Sequence, residues 1–469
     1  MLSFLLATDL ILRQFYAETQ GASWTSQCVT STEGCWLSPG TQYCQWLGVG
    51  CDTDNVTVIS LILPNNHLLG EPSSVGNLTS LRTIDLSSNV YLFSLQSLPP
   101  SWHSLGELLS LDLSDTLVMI DNFNWAPKLR NLSLRDIAMN PFLPFLQKLP
   151  YLERLDLSEN EMDVPKVISS LRFLKTFIMR DASYVSWSNL APLEGLSQLE
   201  YLDLSVSPEN FGIPSFSGYE HTTALSSLTN LQYMDLSRAC YPNSPPNADL
   251  LTYLLPLTQL RTLRLAGIKL NSTFPDTFFT SLTKLDTLDL HATGLRGQIP
   301  SNIDQATNLT QLLLQENSLT GIIPPTITSL SLLRELNLTQ NHLNGPIPPL
   351  CNFAFMECLS LARNSLNGSI PASVTNLTAL KTLNLHSNQL VGEIPAQMLA
   401  LDKLHTLRLA NNKLTGLLPR QLALLFTHGD LEYLDVANNL LSGQLPLIVL
   451  SDADIYLVFP YLRDLNSEF

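Results

Sequence analysis

One pattern of hydrophobic and polar positions, L-x-x-L-x-L-x-x-N, recurs along most of the chain. It reads LRELNLTQNHL from Leu333 to Leu343 and LKTLNLHSNQL from Leu380 to Leu390. The L-x-L core alternates with period two, which predicts a short β-strand with one buried face. Copies begin at Val58, Leu81, Leu108, Leu129, Leu152, Leu174, Leu199, Leu231, Leu260, Leu285, Leu309, Leu333, Met356, Leu380, Leu404 and Leu431. A fixed period of about 25 residues is typical of a solenoid of stacked repeats.

A leucine-rich repeat has this pattern and this length. A single repeat cannot bury its leucines, so stacked neighbours must share one continuous core. We therefore predict an α/β solenoid, a right-handed leucine-rich repeat superhelix of about 16 repeats with a parallel concave β-sheet. Asparagines at the ninth position are expected to bond backbone groups of neighbouring turns. They are Asn66, Asn89, Asn160, Asn317, Asn341, Asn364, Asn388, Asn412 and Asn439.

The later repeats carry a second motif, L-x-G-x-I/L-P, first as LRGQIP at Leu295–Pro300 and last as LSGQLP at Leu441–Pro446. Glycine permits a turn there that a side chain would obstruct. The chain thus resembles the plant-type leucine-rich repeat family, whose L-x-G-x-I-P segment adds a second strand. We expect a solenoid over residues 58–446, irregular over 108–285 and regular over 285–446. Two long insertions, Ser205–Asn230 and Cys240–Gln259, interrupt the irregular part and are expected as loops on one face.

Residues 1–57 lack the repeat and are expected to form an N-terminal cap, since solenoid ends need one. The segment Ala7–Trp24 and the run CQWLGVGC resemble the opening helix and the C-x-W-x-G-V-x-C signature of the plant-type cap. The resemblance implies a disulfide between Cys44 and Cys51 and suggests a second between Cys28 and Cys35. Four cysteines allow three connectivities. Residues 447–469 are expected to form a C-terminal cap, as a helix, or a truncated tail.

Cysteine use favours an extracellular or cell-surface location, where the sequons of the chain would be glycosylated. Four of the seven cysteines lie in the cap, which suggests an oxidising compartment, and an odd total leaves at least one thiol free or intermolecular. Met1–Ala7 lacks a basic region and is expected to belong to the cap helix instead of a signal peptide. The sequence contains no uninterrupted run of 18 apolar residues, so we expect no membrane-spanning segment in it. Candidate glycosylation sites are Asn55, Asn77, Asn131, Asn271, Asn308, Asn337, Asn367 and Asn376.

Catalytic signatures are missing from the sequence. It contains no phosphate-binding loop, no H-E-x-x-H and no G-x-S-x-G. We therefore expect neither an enzyme nor a cofactor, and no metal site, because no C-x-x-C pair is present. The net charge of −16 argues against nucleic acid as a partner, because nucleic-acid binding requires a basic surface.

Solvent-facing positions of the predicted strands carry the chemistry. Counted from the first apolar residue of each repeat, positions 2, 3, 5, 7 and 8 face outward on the concave side. Thirteen of the 25 lysine and arginine residues occupy them, and arginine suits bidentate carboxylate or phosphate recognition. Aspartates also recur at position 5. Because L-D-L-S belongs to the consensus sequence of the family, we attribute these aspartates to the repeat and not to a binding site.

Two clusters are candidate binding surfaces. The first spans repeats four to six and comprises Arg130, Arg135, Arg154, Lys175 and Arg180, beside an acidic column at position 8: Asp115, Asp136, Glu159 and Asp181. Like charges on neighbouring strands repel, so the arginines are expected to pair with that column. The cluster is then either a solvated salt-bridge ladder, which contributes little stability, or a docking surface of mixed charge.

The second cluster spans repeats seven to nine, beside the long insertions. It comprises Arg238, Arg261 and Arg264, with Tyr201 and Tyr233 on neighbouring strands. Arginine and tyrosine are favoured anchors of protein interfaces. We regard this cluster as the better binding hypothesis.

The combined features indicate an extracellular or cell-surface recognition module. It would bind a protein, peptide or glycan on the concave face, and the irregular middle repeats resemble those of plant receptor-like proteins. That resemblance also allows for a co-receptor as a further partner. Two alternatives remain: a secreted inhibitor of a cell-wall hydrolase, similar to polygalacturonase inhibitors, and an adhesive or structural surface protein.

Overall fold

A computed structural model describes residues 2–25, 36–37, 41–94, 97–120, 123–137, 143–182, 190–207, 222–239, 247–418, 431–442 and 456–458. The chain divides into two compact units, Met1–Leu231 and Gln232–Phe469. Each unit is a stretch of leucine-rich repeat solenoid, and the two are described in turn.

The first unit contains one long helix and ten strands among its described residues. They are α1 (Leu2–Glu18), β1 (Val49–Cys51), β2 (Val58–Ile62), β3 (Leu69–Gly70), β4 (Thr83–Asp85), β5 (Tyr91–Leu92), β6 (Ser110–Asp112), β7 (Asn131–Ser133), β8 (Arg154–Asp156), β9 (Thr176–Ile178) and β10 (Tyr201–Asp203). Short 3₁₀ turns, such as Pro144–Lys148 and Lys166–Ser170, return the chain between strands.

Seven of these strands form the predicted parallel ladder, in the order β2, β4, β6, β7, β8, β9 and β10. The apolar residue at position 4 is in register from strand to strand, so that Leu132 pairs with Leu155 and Leu155 with Phe177. All three side chains are at most 1% exposed. The stacked fourth positions therefore build the core that the repeat pattern predicted.

The N-terminal cap covers one end of this ladder. Helix α1 buries Leu12 and Phe15, and β1 pairs antiparallel with β2. The predicted bridge between Cys44 and Cys51 is present and is confirmed. The indole ring of Trp36 lies 4.9 Å from that of Trp24 and so adds to the aromatic core of the cap. Cys28 and Cys35 lie outside the described residues, so their pairing stays a prediction.

The second unit contributes the following strands and short helices: β11 (Tyr233–Asp235), α2 (Leu250–Tyr253), β12 (Thr262–Arg264), α3 (Phe278–Ser281), β13 (Thr287–Asp289), β14 (Arg296–Gly297), β15 (Gln311–Leu313), β16 (Ser318–Ile322), β17 (Glu335–Asn337), β18 (His342–Pro346), β19 (Cys358–Ser360), β20 (Ser365–Asn367), β21 (Thr382–Asn384), β22 (Val391–Glu393), β23 (Thr406–Arg408), β24 (Lys413–Thr415), β25 (Tyr433–Asp435) and β26 (Tyr456–Val458). Strands β11, β12, β13, β15, β17, β19, β21, β23 and β25 form its inner parallel ladder. Each predicted repeat of the two units thus supplies one inner strand.

Second strands follow the inner strands where the L-x-G-x-I-P motif occurs, as the family resemblance implied. Strands β14, β16, β18 and β20 pair in parallel, and β22 pairs with β24. The motif glycine turns the chain: Gly345 has φ of 73°, and a Cβ atom there would lie 2.7 Å from Cγ2 of Ile322. Only glycine adopts this conformation without strain.

The ninth-position asparagines form a ladder of hydrogen bonds inside the turns. The Asn317 amide donates to the carbonyls of Leu290 and Leu314, and its Oδ1 accepts the N–H groups of Thr293 and Leu295. Asn341, Asn388 and Asn412 repeat this arrangement in later turns. The predicted role of the ninth position is thereby confirmed.

Two expectations about irregular segments change. The insertion Cys240–Gln259 was expected as loop, but its described part contains α2, where Leu250 and Leu251 are fully buried. The C-terminal helix is wrong for Tyr456–Val458, which form β26 and extend the inner ladder beside β25. Tyrosine, leucine and valine are residue types that favour strands, and they continue the repeat in weakened form.

Candidate functional site

Aspartates at position 5 of the inner strands have a structural task. Asp156 Oδ1 accepts both the N–H and the hydroxyl of Ser158, two residues later, at 3.1 and 2.7 Å. The same bond to the N–H at position 7 recurs at Asp85, Asp112, Asp203, Asp235, Asp289 and Asp435. These carboxylates satisfy backbone donors where the strand ends, which agrees with assigning the column to the repeat.

Position 8 has a left-handed backbone conformation in nearly every repeat, although not at Val206. Asp115, Glu159 and Arg238 have φ values of 55°, 59° and 57°, respectively, and Arg363 has 53°. This conformation costs a residue other than glycine about 1 kcal/mol, so the surrounding turn must enforce it. The sequence pattern gave no signal of it, because the residues at this position differ in size and charge.

Two of the four acids in the column of the first unit pair with an arginine, so the expected pairing is confirmed for that part of the column. The Arg135 guanidinium lies 3.6 Å from the Asp115 carboxylate and 3.2 Å from that of Glu159. Burial raises the pKa of Glu159, Arg135 opposes that rise, and the neighbouring acids Asp115 and Asp136 add to it. Asp181 accepts the N–H of Ser207 instead. Oxygens of Asp115, Asp136 and Glu159 come within 4.8 Å of one another, but Arg135 already binds two of these groups, so the arrangement is a salt-bridge network.

The remaining basic residues of the first cluster are also paired. Glu153 lies between Arg130 and Lys175 and forms an ion pair with each, the latter at 2.8 Å. The hydrogen bond from Lys175 lowers the pKa of Glu153. Arg154 lies 3.8 Å from Asp156. Each cation of this row therefore has a carboxylate partner.

Arg180 is held most firmly. Its Nε donates to Asp203 Oδ2 at 2.6 Å, and its Nη2 donates to the Tyr201 hydroxyl at 3.1 Å. The Asp203 side chain is 1% exposed. Burial opposes protonation of Arg180, but the bond and charge of Asp203 raise the pKa of the guanidinium above its usual range. Tyr201 was assigned to the second cluster from the sequence, but its hydroxyl accepts a hydrogen bond from Arg180 of the first cluster.

The arginines of the second cluster behave differently. Arg261 is exposed, and Arg238 and Arg264 are half-buried. Within the described part of the chain, none of the three forms an ion pair, although Arg264 is in register with Asp235 on β11 and Asp289 on β13. Those two aspartates already accept bonds from position 7 of their own repeats. Three cations therefore remain on the inner face of β11–β13 without a carboxylate partner among the described residues.

Small residues lie between these arginines, in the repeat that contains β12. Position 7 of the repeat that contains β12 is Ala266 and position 8 is Gly267, and a Cβ atom at Gly267 would lie 3.3 Å from Cγ of Arg238. His291 borders the same surface, with Nδ1 2.7 Å from Asp289 Oδ1. The Tyr233 hydroxyl lies 3.4 Å from Asp235 Oδ2. The cluster is thus a basic surface bordered by His291 and Tyr233.

Two further inner-face arginines, Arg363 and Arg408, also have no ion pair in the ranges described. Their positions in the repeat predict that they lie on the concave side, but no insertion or tyrosine pair marks their repeats as a binding surface. Arg334, by contrast, shares Glu357 with Lys381 at 3.0 and 2.7 Å. Hydrogen bonds from Lys381 and then Arg334 lower the pKa of Glu357.

The sequon asparagines are spread over several faces. Asn131 is exposed on inner strand β7, whereas Asn337 on β17 is half-buried and its Oδ1 accepts the N–H of Thr339 at 3.1 Å. Asn55, Asn77, Asn308, Asn367 and Asn376 are exposed, and Asn271 is half-buried. Glycosylation at these positions stays a prediction.

The comparisons with known proteins agree with this architecture. The leucine rich repeat family model matches residues 308–330, 332–353, 379–401 and 403–425. Phytosulfokine receptor 1 of Arabidopsis thaliana is 40% identical over 79 residues, which are 16% of this chain and 8% of the receptor. The match therefore spans less than a tenth of that relative's length.

Similar solved structures include plant receptors. The crystal structure of a TDR receptor superimposes with a TM-score of 0.71 at 27% identity, over 84% of this chain and 66% of that one. The Arabidopsis receptor kinase HAESA, in complex with the peptide hormone IDA and the co-receptor SERK1, gives a TM-score of 0.57 at 22% identity. That alignment covers 93% of this chain and 83% of HAESA. At such identity it supports the fold alone.

No helix within the described ranges is long and apolar enough to cross a membrane. The longest, α1, has 17 residues.

Proposed function

Because this chain is a leucine-rich repeat protein of the plant type, we propose that it is a recognition module that binds its ligand on the inner strand face. The fold is typical of binding modules that have no catalytic role. A peptide is the favoured ligand among protein, peptide and glycan, because HAESA, which shares the fold, binds a peptide hormone. A co-receptor is proposed as a second partner by the same comparison.

The observation that carries the proposal is the contrast between paired and unpaired arginines. Inner-face arginines of the first unit have carboxylate partners, as Arg135 and Arg180 do. Arg238, Arg261 and Arg264 have none among the described residues. An unpaired guanidinium offers a planar set of donors that a carboxylate can accept in pairs. We infer that β11–β13 bind an acidic group of the ligand.

An extracellular or cell-surface location is part of the proposal. The disulfide between Cys44 and Cys51 forms and persists in oxidising compartments, and the exposed sequon asparagines are available for glycosylation there. Secretion of the tagged protein and its sensitivity to a glycosidase would test this location directly.

The ligand proposal can be tested with a displayed library of random peptides selected on the purified protein. Acidic peptides should be enriched, and each should bind Arg238→Gln/Arg264→Gln at least about tenfold more weakly, because each charged hydrogen bond contributes about 1.5–3 kcal/mol. The matched control is Arg130→Gln/Arg154→Gln, which changes two inner-face arginines that already have partners. Its affinity should stay within a factor of two.

Melting temperatures of both double variants should stay within a few degrees of the unmodified protein. Enrichment of peptides without acidic residues, or equal losses in both double variants, would contradict the proposed site.

A further inference from the structure

A second basic surface lies on the inner face of the second unit. Three residues define it, here called the histidine patch: Arg363, His386 and Arg408, at positions 8, 7 and 5 of three successive repeats. The Arg363 N–H donates to the His386 carbonyl at 2.9 Å, and the Leu385 N–H donates to the Arg408 carbonyl at 2.8 Å. These bonds place His386 between the two arginines.

Both arginines of the histidine patch are exposed and lack an ion pair in the part of the chain described. Among the described side chains, the Arg363 guanidinium reaches the neutral amide of Gln340 alone, at 3.4 Å. The Arg408 guanidinium lies 4.6 Å from the centre of the Tyr433 ring, a cation–π contact that orients it without neutralising it. The two arginines thus flank His386 on neighbouring repeats, and neither forms an ion pair with a described residue, although Arg408 is in register with Asp435 on β25.

His386 is half-buried, and its Nδ1 lies 2.9 Å from the Ser387 hydroxyl. Burial lowers the pKa of His386 most, Arg363 and Arg408 lower it further, and Asp435 opposes them. These are the charged groups that act on the imidazole from the neighbouring repeats. Burial and the two arginines together therefore favour the neutral form of His386.

We propose that the histidine patch binds an oxyanion of the ligand between Arg363 and Arg408 and that His386 takes up a proton from solvent as the anion binds. An anion offsets the charge of the arginines, so protonation of the imidazole becomes easier. By linkage, a protonated His386 strengthens anion binding to the same extent. The inference deepens the proposed function and rests on it for its biological role, whereas its test requires only the patch.

The oxyanion group is a carboxylate, a sulfate ester or a phosphate ester, all of which present oxygen acceptors to guanidinium. Inorganic sulfate is the first probe, because its charge stays constant between pH 5 and 8. The His386 resonance is identified by its loss in His386→Gln and followed by NMR as the pH is changed. Sodium sulfate should raise the pKa of His386 relative to sodium chloride at equal ionic strength.

Substitutions then distinguish the patch from a general salt effect. In Arg363→Gln/Arg408→Gln the pKa of His386 should be higher in chloride than in the unmodified protein, and sulfate should no longer change it. Arg334→Gln is the matched control, since Arg334 already pairs with Glu357. It should keep the sulfate response. Unchanged spectra elsewhere report that each variant is folded.

Three short peptides with the same sequence, carrying glutamate, sulfotyrosine or phosphoserine at the centre, then identify the source of the anion. The correct one should bind about fivefold more tightly at pH 5.5 than at pH 7.5, within the usual range of coupling between two sites. This difference should vanish in His386→Gln.

An absent sulfate response, or one that persists in Arg363→Gln/Arg408→Gln, would overturn the inference. Neither result depends on Arg238 or Arg264, so failure here is distinguishable from failure of the proposed function.

Discussion

Removing one ladder asparagine should destabilise the second unit strongly. Asn317→Ala deletes the amide that joins two successive turns. Its Oδ1 is the acceptor for the N–H of Thr293 at 3.1 Å and the N–H of Leu295 at 2.9 Å. Its Nδ2 donates to the carbonyls of Leu290 and Leu314. These carbonyls have second partners in Thr293 and in a neighbouring asparagine, but the two N–H groups do not.

The loss of stability in Asn317→Ala follows from the N–H groups of Thr293 and Leu295, which would lose their acceptor. Thr293 and Leu295 are 1% and 0% exposed, so water does not replace the lost acceptor. A buried unpaired group costs about 1–3 kcal/mol, so the free energy of unfolding should fall by about 2–6 kcal/mol. Chemical denaturation followed by circular dichroism measures the change, and hydrogen exchange should show faster exchange at the Leu295 amide.

Asn344→Ala is the matched control. Asn344 is an exposed residue of β18 whose side chain forms no hydrogen bond with the described residues. Its replacement should change the free energy of unfolding by less than about 0.5 kcal/mol. If the two variants lose the same stability, or if the Leu295 amide keeps its protection in Asn317→Ala, the ladder does not have the role assigned to it.

Three further outcomes are expected. Burial raises the pKa of Asp112, so ionisation of its carboxyl disfavours folding. The free energy of unfolding of Asp112→Asn at pH 7 should therefore exceed that of the unmodified protein, and the difference should shrink as the pH falls below the folded-state pKa of Asp112. Denaturation at several pH values measures this difference. Gly345→Ala should lower the free energy of unfolding by about 1 kcal/mol or more in the same assay, because the backbone φ of 73° at this position is strained for a residue with a side chain. Gly106→Ala should have little effect, because no atom lies within 4 Å of the Cβ that it adds. Cys351 is exposed, whereas burial raises the pKa of the Cys358 thiol. Iodoacetamide at neutral pH should therefore alkylate Cys351 before Cys358, as followed by mass spectrometry. The reverse order would contradict the burial of Cys358.

Much of the fold could be predicted because each position of the repeat has a fixed place in the strand or in the turn that follows it. The alternation around Leu155 predicts a strand, and the ninth residue of each turn predicts the buried bend that Asn317 fills. The tail could not be predicted in this way, since Tyr456–Val458 keep only the apolar character of the repeat. The helix α2 was missed because its insertion is rich in the residues of loops.

The candidate site was only partly visible in the sequence. Arginines at inner-face positions could be identified, but their partners could not, since pairing depends on which side chain each neighbouring strand presents. Tyr201 shows the difference: its position beside the second cluster suggested an interface anchor, yet its hydroxyl bonds to Arg180. Arg363 and Arg408 were overlooked because their significance depends on the lack of an ion pair with any described residue and on His386 between them.

The most direct test of the recognition role is hydrogen exchange of the protein with and without a selected acidic peptide. If the inner face binds the peptide, exchange should slow along the inner strands of the second unit, with the largest change at β11–β13 around Arg238 and Arg264. Protection at the outer turns, for example Ser301–Gln305, with no change at β11–β13 would contradict it.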